Sequence, residues 1–349
     1  MDRPRIPIDR RGMIAASAAT LGATILPALA FGAAGDKAPF APPLGPRARV
    51  MLVNDLAGDV DGLFAAVHAV LSPSIDLRAI VTTSTGVKTE TAQRATELAH
   101  EMLAAMGREG TIPVATGAAQ KLQASGAPDR SAGTMALIAE ARRTDSKLPL
   151  YVAVGGGLTE LASALALAPD IANRMTLIWI GGGAYPEGGT EYNFAIDRIA
   201  AQQVFASGVP IWQVPSDIYA ACQISLTELQ ARVAPHGRIG AWLYARMLAA
   251  AADFGSRYHL NTGETWTLGD SPLVLLTALT AWPPTTMRPV PRSEATGGSR
   301  FDERPAPLLN DNGSYRPRSD GPAIRVYRSV DTRLMFEDFF AKLEMNYPA

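Results

Sequence analysis

Residues 49–71 read RVMLVNDLAGDVDGLFAAVHAVL, and this stretch decides the fold. Residues 49–54 form a short, nearly continuous apolar run of strand length, and residues 61–71 carry a helical pattern. A polar turn with three aspartates joins them. The same strand-then-helix unit recurs downstream, as 77–83 with 89–105, 112–115 with 133–143, 150–154 with 158–167, and 175–180 with 199–205, before a further apolar run at 209–214. Apolar strands alternating with helices call for a parallel sheet covered on both faces, because crossover helices must pack back onto it. The expected class is therefore α/β, an open, doubly wound, mostly parallel sheet. Beyond Asp217 the pattern turns helical, at 226–233, 239–252 and 272–281, and a last strand-and-helix pair covers 323–343. These additions are expected to form a helical cap over the carboxyl edge of the sheet, where α/β proteins bind ligands.

The chain has 349 residues, 47% of them apolar and 19% charged, enough for a substantial core. A net charge of −1 without a basic run argues against a nucleic-acid partner and points to small ligands. Arg10 and Arg11 precede an uncharged run from Gly12 to Gly35 that includes Ala28-Leu29-Ala30, the pattern of a twin-arginine export signal. Residues 1–35 are read as that signal, cut near 30–35, residues 36–48 as a proline-rich linker, and residues 49–349 as the folded domain. A periplasmic or secreted location follows, with no stable membrane insertion after cleavage. Cys222 is the only cysteine, so an intrachain disulfide is impossible, and its expected place is the core.

The turn Asn54-Asp55-Leu56-Ala57-Gly58-Asp59-Val60-Asp61-Gly62 crowds three carboxylates and an amide at the end of the first strand. Such crowding is costly unless a cation offsets it. Oxygen donors without nearby Cys or His favour calcium or magnesium. An EF-hand loop is excluded, since its first position would be Ala57 and its twelfth His68. Asp59 or Asp61 also suits the N-cap of the following helix. Two glycine triplets, 155–157 and 181–183, each follow a strand. They lack the third glycine and the strand-end acid of a dinucleotide fingerprint, and fit close approach of backbone to a ligand or ion. Further along stand Glu191-Tyr192-Asn193-Phe194 with Asp197, and Leu268-Gly269-Asp270-Ser271-Pro272 at the opening of a helix.

In this order and spacing the motifs resemble those of the nucleoside hydrolases, the inosine- and uridine-preferring ribohydrolases, from about Arg49 to the last helix. The resemblance implies calcium-dependent cleavage of ribonucleosides to free base and ribose. It implies that Asp55 binds the metal and acts as general base on its water, that Asp61 contacts the ribose hydroxyls and belongs to the metal site, that Asp270 completes that site, and that Gly155 offers it a backbone carbonyl. It assigns Glu191 and Asn193 to the sugar hydroxyls, and implies a homo-oligomer. The chain departs from the family at Gly62, where a second metal-binding aspartate is usual and for which Asp59 is the expected replacement. It also departs at Gly86, where an asparagine meets the sugar, and at Gly269, where several members carry a histidine that protonates the departing base. His259 is the candidate substitute, with stacking on Trp266 or Tyr258 as the other route. The alternatives are a nucleoside- or pentose-binding protein of the same fold, a hydrolase of another glycosidic or ester bond, and, more remotely, a nicotinamide-dependent oxidoreductase.

Overall fold

Every residue of β1 (Ala48–Asn54) is buried, as a strand must be when it has parallel neighbours on both edges and helices on both faces. Its side chains part with the two-residue period of an extended chain. Val50 and Leu52 enter one apolar layer, Met51 and Val53 the other. The computed structural model describes residues 40–42, 44–123, 126–261, 263–280 and 298–349. The expected signal over residues 1–35 lies outside these, as do residues 36–39 of the expected linker.

After β1 come α1 (Asp61–Val70), β2 (Ile75–Thr82), α2 (Ala92–Ala105), β3 (Val114–Thr116), α3 (Ala132–Ala141), β4 (Leu150–Gly155) and α4 (Thr159–Leu167). A 3-10 turn (Pro169–Arg174) leads to β5 (Thr176–Ile180), α5 (Tyr192–Ile196), α6 (Arg198–Ala206), β6 (Ile211–Val214) and α7 (Ser216–Tyr219). The cap holds β7 (Gln223–Ser225), α8 (Leu226–Arg232), α9 (Gly237–Tyr258), β8 (Thr265–Thr267) and α10 (Pro272–Val274). The chain closes with β9 (Arg300–Pro305), β10 (Leu308–Leu309), β11 (Tyr315–Arg316), β12 (Ala323–Ser329) and α11 (Thr332–Asn346).

The main sheet runs β3-β2-β1-β4-β5-β6-β12-β9, parallel except for β9, which pairs antiparallel with β12. The expected doubly wound α/β fold is thus the observed one. Strand order reverses between β1 and β4, so the loops after these two strands turn to opposite faces and leave a crevice at their carboxyl ends. The register places that crevice: Asn54 lies opposite Thr82 and Gly155, and Gly155 opposite Ile180.

Several elements differ from expectation. The sequence pattern does not include the antiparallel edge strand β9 or the strands β7, β8, β10 and β11, the last four of two or three residues each and too brief to carry a period. The helix expected over 272–281 is one turn, α10, followed by a π-helical turn, Leu275–Leu279. There the hydroxyls of Thr277 and Thr280 donate to the carbonyls of Leu273 and Leu275 at 2.7 and 2.9 Å, competing with the helical ladder. Helix α9 runs past the expected 252 to Tyr258, held by an Asp253–Arg257 pair one turn apart. Cys222 is fully buried as expected, beside Leu275 and Met335, and burial pushes its thiol up to about 12.

Beside the core layer that contains α1 lies a polar cluster in which His68 and Ser72 are buried and Asp338 and Lys342 partly so. His68 Nε2 meets Asp338 Oδ2 at 2.8 Å, and Lys342 reaches Ser72 Oγ at 2.8 Å and pairs with Asp338. Burial lowers the His68 pKa from 6.5 to about 4. The folded state thus rejects a proton that the unfolded chain accepts. The resulting stabilisation is complete above pH 6.5 and is lost as the pH falls to about 4. Urea unfolding of the wild type is expected to weaken across this window by on the order of 3 kcal/mol more than that of His68→Gln. Equal slopes in the two proteins would contradict this.

Candidate active site

The turn after β1 is built from its own polar groups. Gly58 N–H donates to the Asp55 carbonyl at 2.6 Å, Val60 N–H to Asp59 Oδ1 at 2.6 Å, and Gly62 N–H to Asp61 Oδ1 at 2.8 Å. The N-cap position of α1 is Val60, and no side chain caps it. Both aspartates that suited capping are therefore spent elsewhere. Asp61 Oδ2 accepts the Asp270 N–H at 3.1 Å, tying the first turn to the loop before α10, and Asp59, exposed at the rim, accepts Trp266 Nε1–H at 3.1 Å.

Glycine is what lets the acids converge. A Cβ on Gly155 would lie 2.3 to 2.4 Å from the carboxylate of Asp270, so that carboxylate rests directly on the β4 backbone. The Gly155 carbonyl accepts the Asp55 N–H at 3.3 Å. A Cβ on Gly62 would lie 2.1 Å from Asn54 Oδ1, and Asn54 Nδ2 donates to Asp270 Oδ2 at 2.7 Å. Asn54, Asp55 and Asp270 are all buried. Burial, followed by the charges of neighbouring aspartates, holds Asp55 and Asp61 well above the usual carboxylate range. Asp270 is raised to about 7 by burial, against the hydrogen bond from Asn54.

These donors are all oxygen and mutually repulsive, the chemistry that suits a hard cation. The acids alone do not complete a site: among the described residues no group of three or more His, Cys, Asp or Glu is arranged to hold a metal ion. Asn54 Oδ1 adds a further oxygen, buried and without a hydrogen-bond partner. The residues fit a cation whose shell draws on neutral oxygens as well as on Asp55 and Asp270.

Above this floor opens a cavity of about 390 Å³, lined by Asp55, Asp59, Asp61, Asp270, Glu191, Asn193 and Trp266 among others. Glu191 caps α5, accepting N–H groups of Gly182, Asn193 and Phe194 at 2.8, 3.0 and 3.0 Å, and the hydroxyl of Tyr219 at 2.7 Å. Asn193 Nδ2 donates to the Ile180 carbonyl at 2.8 Å. Asp197 is not in the cavity: it caps α6 and accepts Thr159 Oγ1–H at 2.7 Å. Nor does the structure bring in His259, which ends α9 in a left-handed conformation with φ 53°, exposed and away from the lining.

Sequence reasoning missed Glu90, Tyr192, Tyr219, Phe254 and Arg257, all of which line the cavity. Phe254, Arg257 and the foreseen Tyr258 come from the unforeseen last turns of α9. The rings of Phe254 and Trp266 meet edge to face at 5.8 Å, and those of Phe254 and Tyr258 lie 4.6 Å apart. Glu90 accepts Thr85 Oγ1–H at 2.7 Å and faces the Arg257 guanidinium at 3.9 Å across the mouth. Tyr219 takes up the room beside Gly269, where a Cβ would come 3.1 Å from its ring. Only Tyr192 carried a signal, its place inside the Glu191–Asn193 motif.

Comparison with known proteins agrees with this arrangement. The family model described as inosine-uridine preferring nucleoside hydrolase matches residues 50–337. The pyrimidine-specific ribonucleoside hydrolase RihA of Citrobacter koseri is 28% identical over 239 residues, which is 61% of this chain and 72% of the relative. Among solved structures, a purine-preferring ribonucleoside hydrolase from Gardnerella vaginalis superimposes with a TM-score of 0.66 at 17% identity, covering 85% of this chain and 98% of its own. A plant nucleoside hydrolase does so with a TM-score of 0.63 at 19% identity, covering 85% and 99%. These two likenesses are of fold, and the match over residues 50–337 settles the lineage: the chain belongs to the nucleoside hydrolase family and is a hydrolase acting on N-glycosyl bonds.

Proposed function

We propose that this enzyme hydrolyses the N-glycosidic bond of ribonucleosides to free base and ribose in a calcium-dependent reaction at the floor formed by Asp55 and Asp270. The observation that carries the reading is a single cavity with carboxylates at its base and aromatic rings at its mouth. A nucleoside has the same division, a hydroxyl-rich sugar joined to a flat ring.

Members of this family generally use a metal ion. Asp55 and Asp270 would hold it, with the Gly155 carbonyl and Asp61 or Asp59 as further oxygens, and a bound cation supplies the positive charge that acidifies water and offsets the crowded acids. Asp55 is the general base in this reading. Its carboxylate lines the cavity floor beside Asp61 and Asp270, within the space a substrate and its attacking water would share. Asp61, Glu191 and Asn193 face the sugar. The Glu191 carboxylate accepts four donors, two on each oxygen, so a sugar hydroxyl would meet it by taking the place of the Tyr219 hydroxyl at Oε1.

The departing base leaves toward Phe254, Tyr258 and Trp266. Stacking there, with Arg257 at the rim, takes the part that a histidine at Gly269 would play. The curated relative acts on pyrimidine and the solved neighbour prefers purine ribonucleosides. We further propose that residues 1–35 direct export to the periplasm or beyond, a reading that rests on Arg10-Arg11 and the weakly apolar run after them, and that the mature enzyme is a homo-oligomer.

A panel of purine and pyrimidine ribonucleosides, with calcium or with chelator, is expected to give free base and ribose only with calcium. Ligand-induced thermal stabilisation without any product would transfer the assignment to a nucleoside-binding protein. Asp55→Asn is expected to lower kcat by 100-fold or more, on the scale of about 10²–10⁴ for a lost general base. The same variant should unfold at a higher temperature than the wild type in chelator, because it removes one of the repelling buried charges. Full activity in Asp55→Asn would exclude the mechanism. Trp266→Ala and Phe254→Ala are each expected to lower kcat/KM by roughly 5- to 10-fold, the value of about 1 kcal/mol of aromatic contact. Steady-state kinetics showing no change in either would remove the base from that wall.

A further inference from the structure

We propose that the side-chain carbonyl of Asn54 is itself a ligand of the cation held by Asp55 and Asp270, in the space that a side chain on residue 62 would otherwise fill. The inference rests on the reading of this floor as a cation site and adds a donor to it. Asn54 is fully buried at the carboxyl end of β1, and its Oδ1 has no hydrogen-bond partner. An acceptor left bare in this way opposes folding unless a partner meets it. Turning the amide over does not relieve it. Nδ2 donates to Asp270 Oδ2 at 2.7 Å, and the opposite rotamer would set a carbonyl oxygen against that carboxylate.

The surrounding backbone is fitted to this orientation. Any Cβ on residue 62 would fall 2.1 Å from Asn54 Oδ1 and 2.9 Å from its Cγ. Gly62 and Asn54 are therefore one device: the glycine gives up its side chain, and the amide from the neighbouring strand end enters the same volume. The acids alone supply no group of three arranged as ligands among the described residues. A neutral oxygen bonded through its own amide to Asp270, and already stripped of water, supplies a missing donor at no further cost in repulsion. The chemical class of the ligand is a hard divalent cation, calcium or magnesium, in a site with one carboxylate fewer than an acid at residue 62 would give.

The test is cation binding, read without substrate. The full chain and its Asn54→Ala and Asn54→Asp variants are freed of divalent ions, and thermal unfolding is followed as calcium chloride or magnesium chloride is added back. The wild type is expected to be stabilised, Asn54→Ala to need on the order of tenfold more cation for the same shift, and Asn54→Asp on the order of tenfold less. In chelator Asn54→Asp should unfold at a lower temperature than the wild type, because a carboxylate then faces Asp270 uncompensated. Should Asn54→Ala not fold, Asn54→Asp carries the test alone. Unchanged cation dependence in a folded variant, or no stabilisation of the wild type by either ion, overturns the proposal. Base release is not part of the readout: a protein that binds its cation through Asn54 yet cleaves nothing would remove the hydrolase reading and leave this one.

Discussion

The contact between the Asp270 carboxylate and the bare backbone of Gly155 is the constraint on which the rest of the site depends. It brings an acid from the cap to within reach of Asn54 and Asp55 at the end of β1, beside the end of β4, at the point where strand order reverses. Nothing about the sheet alone requires this. Burying like charges opposes folding, and the apolar layers on the two faces of the sheet supply the stability that lets the arrangement persist. The charge problem and the catalytic opportunity are the same feature. Carboxylates crowded and buried in this way favour a cation, which offsets the repulsion that burial intensifies.

The cavity is divided by construction. Its floor comes from the end of β1 and the loop before α10, and its mouth from the end of α9 and the short β8 strand, which carry Phe254, Tyr258 and Trp266. Chemistry at a sugar needs fixed geometry, and recognition of a flat base tolerates adjustment. One link crosses the division: Trp266 donates to Asp59 at the rim of the acidic turn. Tyr219 makes a second connection, bonding Glu191 while its ring occupies the room beside Gly269. The loss of a side chain at residue 269 is thus matched by a tyrosine from α7, as the loss at residue 62 is matched by Asn54.

Much of this was legible in the chain. The apolar runs that became β1, β2, β4, β5 and β6 announce a parallel sheet, and crowding of Asp55, Asp59 and Asp61 after the first of them announces a charged floor. Asp270 was found through its place before a helix. What could not be read belongs to tertiary contact. Glu90, Tyr219 and Arg257 reach the cavity from the loop after β2, from α7 and from the end of α9, and no local period marks them. Asn54 was visible in the turn, yet its role follows from the distance to Gly62, which only the folded backbone defines. His259 had the right chemistry and the wrong place: a left-handed residue ending α9 turns the chain away, so the imidazole stays outside the lining.

The most direct test of the account is a crystal structure of the Asp55→Asn variant, soaked with calcium and an intact ribonucleoside. The account predicts the sugar on the floor beside Asp61, Glu191 and Asn193, the cation between residue 55 and Asp270, and the base against Phe254, Tyr258 and Trp266. A nucleoside bound with its base on the acidic floor, or bound only outside this cavity, would contradict it.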